Sequence, residues 1–154
     1  MTMRRWWCLA LVLFALTGCG LLKDTRIDAK QSDVTGTWRD PDTGIELVLS
    51  EAMTFETSDA ALYFRGCTSC LPEGFTGTVK GSGTWELGPP TGKKSGPKNY
   101  VHLTFTKVEN DHLAKYIPST LGVRVERDPE GTLVLSAYDG NAETGYGHIL
   151  YKTS

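Results

Sequence analysis

The chain has 154 residues, with 16 basic and 18 acidic side chains and a formal charge of −2. That length supports one domain around a single core, and the acidic balance argues against a nucleic-acid partner, which would call for a basic stripe. No catalytic constellation stands out anywhere along it, so the chain does not read as an enzyme.

Arg4 and Arg5 precede an uncharged, apolar run from Trp6 to Leu16. The run is too short to cross a hydrocarbon core, which needs about 20 helical residues, and it has the build of an export signal. Leu16-Thr17-Gly18-Cys19 follows, and this tetrapeptide resembles the lipobox of bacterial lipoproteins. The resemblance implies that residues 1–18 are a signal peptide, that the thiol of Cys19 accepts a diacylglycerol, and that the protein works outside the cytoplasm on a cell or outer membrane. Two acyl chains suffice for stable anchoring, whereas one holds a protein only reversibly. The next residue is Gly20, not the aspartate that in this family usually signals inner-membrane retention.

Removal of residues 1–18 leaves 136 of the 154, and without Arg4 and Arg5 the balance becomes 14 basic against 18 acidic. Of the four cysteines, Cys8 leaves with the signal, Cys19 is acylated, and Cys67 and Cys70 remain. Residues 19–34 have no amphipathic stripe and are expected to be a flexible tether, with a short helix as the alternative. A flexible chain of that length spans roughly 20 Å.

From Thr35 to the end, residues 35–154 read as one all-β domain. Short β-type segments alternate with Gly, Pro, Asp and Asn clusters, the pattern of a sandwich or barrel. Gly36–Arg39 is followed by the turn Asp40-Pro41-Asp42-Thr43-Gly44, then Ile45–Ser50, a second turn and Met53–Thr57. Asp59–Phe75 is irregular, Thr76–Leu87 is a long segment, and Gly88–Pro97 is an exposed loop. In Tyr100–Lys107, Val101, Leu103 and Phe105 share one face while His102, Thr104 and Thr106 share the other. Val123 and Val125 alternate with Arg124 and Glu126, and Asp128-Pro129-Glu130-Gly131 forms a hairpin turn before Thr132–Tyr138. Gly147–Lys152 completes eight strands. Connections too short for crossovers predict an antiparallel eight-stranded meander that closes into a small barrel. Gly36-Thr37-Trp38 recurs as Gly83-Thr84-Trp85, a spacing of about three strands.

Gly36-Thr37-Trp38 resembles the first-strand signature of the lipocalin-like superfamily, and the layout from Thr35 to Tyr151 resembles small actinobacterial lipoproteins that carry no assigned activity. The lipocalin-like resemblance implies a cavity for a small apolar ligand or lipid, with Trp38, Trp85 and Phe105 lining or closing it. Cys67-Thr68-Ser69-Cys70 is similar to the Cys-x-x-Cys of copper-linked envelope-stress lipoproteins, but it stands later in the chain than that family places it. A disulfide between Cys67 and Cys70 would contribute about 2 kcal/mol at most, because the loop it closes is short. A redox pair and a soft-metal site remain alternatives, though no helix follows to lower a thiol pKa and no second cysteine or histidine pair appears. His102, His112 and His148 lack ligand spacing, and His102 and His148 fall on solvent faces. Gly81-Ser82-Gly83 reads as a strand kink, Lys93 and Lys94 as a loop tip, and Asp139–Glu143 as a turn that calcium could occupy. No cofactor is expected. The alternative to a ligand carrier is a protein-interaction or inhibitor module of the cell envelope, acting through the irregular 59–75 loop.

Overall fold

The computed structural model describes residues 27–61, 72, 75–110, 114–115, 120–138 and 147–153. One helical turn, α1 (Gln31–Val34), precedes eight strands: β1 (Gly36–Arg39), β2 (Glu46–Leu49), β3 (Thr54–Thr57), β4 (Gly81–Gly88), β5 (Tyr100–Val108), β6 (Thr120–Arg127), β7 (Leu133–Tyr138) and β8 (Gly147–Thr153). Each strand pairs antiparallel with the next, and β1 pairs with β8, so the sheet is a closed up-and-down barrel. Closure leaves no free edge for another chain to extend.

The turn chemistry explains the path. In the β1–β2 turn Asp40 Oδ1 accepts the N–H groups of Asp42 and Thr43, and Gly44 closes the turn at φ +73. Asp128 Oδ1 accepts the Thr132 N–H in the β6–β7 hairpin, where Gly131 has φ +91. Aspartate mimicking a backbone turn and glycine supplying positive φ are the reasons these residues mark hairpins.

Alternation places Trp38, Leu47, Leu49, Phe55, Trp85, Val101, Leu103, Val123, Val125, Leu135 and Leu150 inside the barrel, each no more than 2 % exposed. The interior is therefore occupied by the protein's own side chains. The kink expected at Gly81-Ser82-Gly83 is a β-bulge: the register against β5 slips between Ser82 and Gly83, leaving Thr106 as the extra residue. The slip explains why the inward series on β5 runs Val101, Leu103, Phe105 and then Val108. An inserted residue reverses which side chains face the core.

Gly83 makes that bulge sterically feasible, since a Cβ built there would lie 1.9 Å from the Thr104 carbonyl oxygen. Backbone cannot yield as a side chain does. Replacing Gly83 by Ala is expected to cost more than about 2 kcal/mol, while Ser82→Ala at the same bulge should cost less than about 0.5 kcal/mol. Urea-unfolding midpoints of the two variants check this.

Residues 27–34, expected to belong to the tether, instead pack on one end of the barrel. Ala29 is 5 % exposed and Val34 fully buried, and Ala29 N–H donates to the Lys98 carbonyl at 2.9 Å. α1 forms because the Asp33 carboxyl accepts the Lys30 N–H at 2.8 Å, and Thr35 closes the turn onto Gln31. Ile27, Ala29 and Val34 are the apolar anchors into the barrel mouth. Residues 1–26, Cys19 included, lie outside the described residues, and no helix among those described is long and apolar enough to cross a membrane.

Candidate functional site

The pairing register defines two ends. At the tether end lie α1, the β2–β3 turn, the β4–β5 loop and the β6–β7 hairpin; at the far end lie the β1–β2 turn and the β3–β4, β5–β6 and β7–β8 connections.

Two of the three residues singled out as ligand-binding form the floor of the tether end. Trp38 is fully buried and donates its indole N–H to the Val34 carbonyl at 2.7 Å. The Lys152 ammonium stands 5.7 Å from the Trp38 ring centre and donates to the Asp33 carbonyl at 3.1 Å. Trp85, 2 % exposed, donates its indole N–H to the Ser50 carbonyl at 3.1 Å, and its own N–H goes to the Met53 carbonyl. A buried indole needs a partner for its single donor, and backbone carbonyls of neighbouring turns supply it here. The Gly-Thr-Trp echo thus has a structural meaning, because β1 and β4 each contribute one tryptophan tied to the same end of the barrel. Phe105 sits apart from them, half-buried, edge-on to Phe55 with ring centres 5.0 Å apart. All three act as packing residues in this geometry.

The far end carries the polar features. Asp59, fully buried, accepts the N–H groups of Ala61 and Val79 on one carboxyl oxygen, both at 3.0 Å. Ala60 N–H also donates to the Val79 carbonyl. These bonds pin the two stems of the β3–β4 connection together, so the 59–75 segment springs from a fixed base. Beside it an outer-surface hollow of about 370 Å³ is lined by Glu46, Glu56, Lys80, Lys107 and Glu109, with the exposed Val48 at its side. Opposite charges line one concavity open to solvent, a surface suited to a polar partner.

Asp40 and His148 form a second fixed point at this end. His148 Nδ1 lies 2.8 Å from Asp40 Oδ2, which ties the start of β8 to the β1–β2 turn. Burial pushes the Asp40 carboxyl up, but hydrogen bonds from Asp42, Thr43 and His148 outweigh it and hold the pKa below the ordinary value of 3.8. His102 faces outward but is half-buried, its Nε2 2.8 Å from the Pro89 carbonyl. Among the described residues no three His, Cys, Asp or Glu side chains gather as metal ligands. Cys67, Cys70, His112 and the 139–143 turn lie outside the described residues.

Sequence reading missed the role of Asp59. The available signal was an aspartate at the exit of a predicted strand, where it competes for nearby backbone N–H groups. Comparison with protein-family models, curated proteins and solved structures finds no match.

Asp59→Ala would leave two buried N–H donors without their acceptor and is expected to cost about 3 kcal/mol, with Asp59→Asn recovering much of it. Thermal unfolding of the pair measures this. For Asp40, a folded-state pKa below the unfolded value means that its stabilisation is complete above pH 3.8 and is lost as pH falls further, through the folded-state pKa. Asp40→Asn should therefore lower stability at neutral pH and flatten the acid limb, as read from urea midpoints between about pH 5 and pH 2.

Proposed function

We propose that the protein is an extracytoplasmic lipoprotein, held to a cell or outer membrane through Cys19, in which a filled barrel presents its far end as an interaction or inhibitor surface of the cell envelope. The observation that carries this reading is the interior itself. Trp38, Leu47, Leu49, Phe55, Leu103, Leu135 and Leu150 fill the space that a small apolar ligand would need, and none exceeds 2 % exposure. Three concavities lined by described residues, of about 370, 540 and 420 Å³, open on the outside of the barrel.

A pinned loop base favours recognition by the 59–75 segment, because a loop that springs from a fixed stem loses less entropy on binding. The polar hollow of Glu46, Glu56, Lys80, Lys107 and Glu109 adjoins that stem and supplies charge for orientation. A disulfide between Cys67 and Cys70, formed outside the cytoplasm, would stiffen the loop further.

Three measurements test the proposal. Palmitate labelling of the full-length protein in a bacterial host should give a membrane-bound, labelled product that Cys19→Ala abolishes; an unlabelled, soluble product sinks the lipoprotein reading. A photo-crosslinking amino acid at Ser69 should yield discrete protein adducts in cells, whereas the same group at the outward-facing Thr84 should not. A stoichiometric lipid seen by native mass spectrometry, with no adducts from position 69, would favour the ligand-carrier reading instead.

A further inference from the structure

We infer that the β4–β5 loop docks on anionic headgroups of the same membrane that holds Cys19, so that the barrel stands in a fixed orientation with its far end outward. This rests on the lipoprotein reading above and adds a second, electrostatic contact to the covalent one.

The placement follows from the chain. Lys98 N–H donates to the Asp28 carboxyl at 2.8 Å, and Ala29 N–H donates to the Lys98 carbonyl at 2.9 Å. The base of the loop is thus clamped to the residues where the chain enters the barrel. Asp28 stands nine residues after Cys19. Nine residues reach about 30 Å when fully extended, and a flexible chain of that length averages about 16 Å. The clamp therefore keeps the loop close to the bilayer whatever the rest of the barrel does.

Charge fits that placement. Lys93, Lys94 and Lys98 are all exposed, and no acidic residue occurs from Pro89 to Asn99. Around the loop the charges are mixed: Asp28 accepts from Lys98, Asp33 from Lys30 and Asp128 from Thr132, and exposed Glu51, Glu86 and Glu130 stand beside Lys30, Arg127 and Lys152, so the positive surplus belongs to the loop itself. Among the described residues the far end exposes Asp42, Glu46, Glu56 and Glu109 against Arg39, Lys80, Lys107 and Lys115. An anionic surface is attracted to the loop, whose three lysines are offset by no acidic residue between Pro89 and Asn99.

The loop also has a fixed shape. Lys93 N–H donates to the Pro90 carbonyl, the Pro89 carbonyl meets His102 Nε2, and Gly92 turns the chain at φ +81. Little ordering is left to oppose contact. Each lysine brought near an anionic surface strengthens the association by about fivefold.

The test uses the full-length acylated protein in vesicles of phosphatidylcholine alone or mixed with phosphatidylglycerol. Flotation first reports whether the anchor holds. A water-soluble acylating reagent, applied at low extents of modification, then reports accessibility by peptide mapping. Lys93, Lys94 and Lys98 should react at least about fivefold more slowly on the anionic vesicles, with protection lost in high salt and with Lys80 and Lys107 unchanged. The doubly substituted variant Lys93→Glu, Lys94→Glu should float equally well but lose protection at Lys98. Equal rates on both vesicle types in a protein that floats would overturn the docking while leaving the anchor intact. Protein that fails to float would overturn the lipoprotein reading itself.

Discussion

The barrel depends on a narrow seam. β1 is four residues long and must hold β2 on one side and β8 on the other, the latter through only three register pairs, Thr37 with Thr153, Trp38 with Lys152 and Arg39 with Tyr151. Every other strand pair joins neighbours in sequence, so its closure entropy is modest. The β1–β8 seam joins opposite ends of the domain and alone converts a curled sheet into a barrel. The side chains around it reinforce those backbone bonds: Trp38 fills the core beneath, Lys152 bridges to α1, and His148 reaches Asp40 at the other rim.

This arrangement explains why the two rims differ in character. At the tether end the floor is apolar, with Val34, Trp38 and Trp85 buried and the two indole N–H groups donating to the Val34 and Ser50 carbonyls. At the far rim the fixed points are carboxyls, Asp40 and Asp59, each accepting backbone N–H groups of a connection. An apolar floor resists water entry, whereas a carboxyl that gathers N–H groups shapes a loop. The first is a structural solution, and the second leaves a surface with defined form and mixed charge.

Much of the architecture was legible in the sequence because period-two alternation and turn residues act locally. Gly36–Arg39, Tyr100–Lys107 and Thr132–Tyr138 fall within a residue or so of β1, β5 and β7. The expected Thr76–Leu87 segment begins five residues before β4, at Gly81, because the Val79 N–H is taken by Asp59 and its carbonyl by Ala60. That competition comes from a residue twenty positions away, which no local pattern encodes. The packing of residues 27–34 was illegible for a similar reason. Ala29 and Val34 carry no periodicity of their own and become core only once a barrel mouth exists to receive them. The far-end surface was partly readable as an irregular stretch, but its fixed stems and the hollow beside them arise from three-dimensional neighbours.

The order in which the strands are made gives the seam a further significance. A chain synthesised from its amino terminus produces β1 before the other seven strands and β8 after them, so the earliest strand waits with one flank unsatisfied until β8 has been added. During that interval seven strands can zip together as an open, curling sheet with two sticky borders, the species most prone to pairing with a stranger. Completion is then a single late event, and β8 acts as the latch of the barrel.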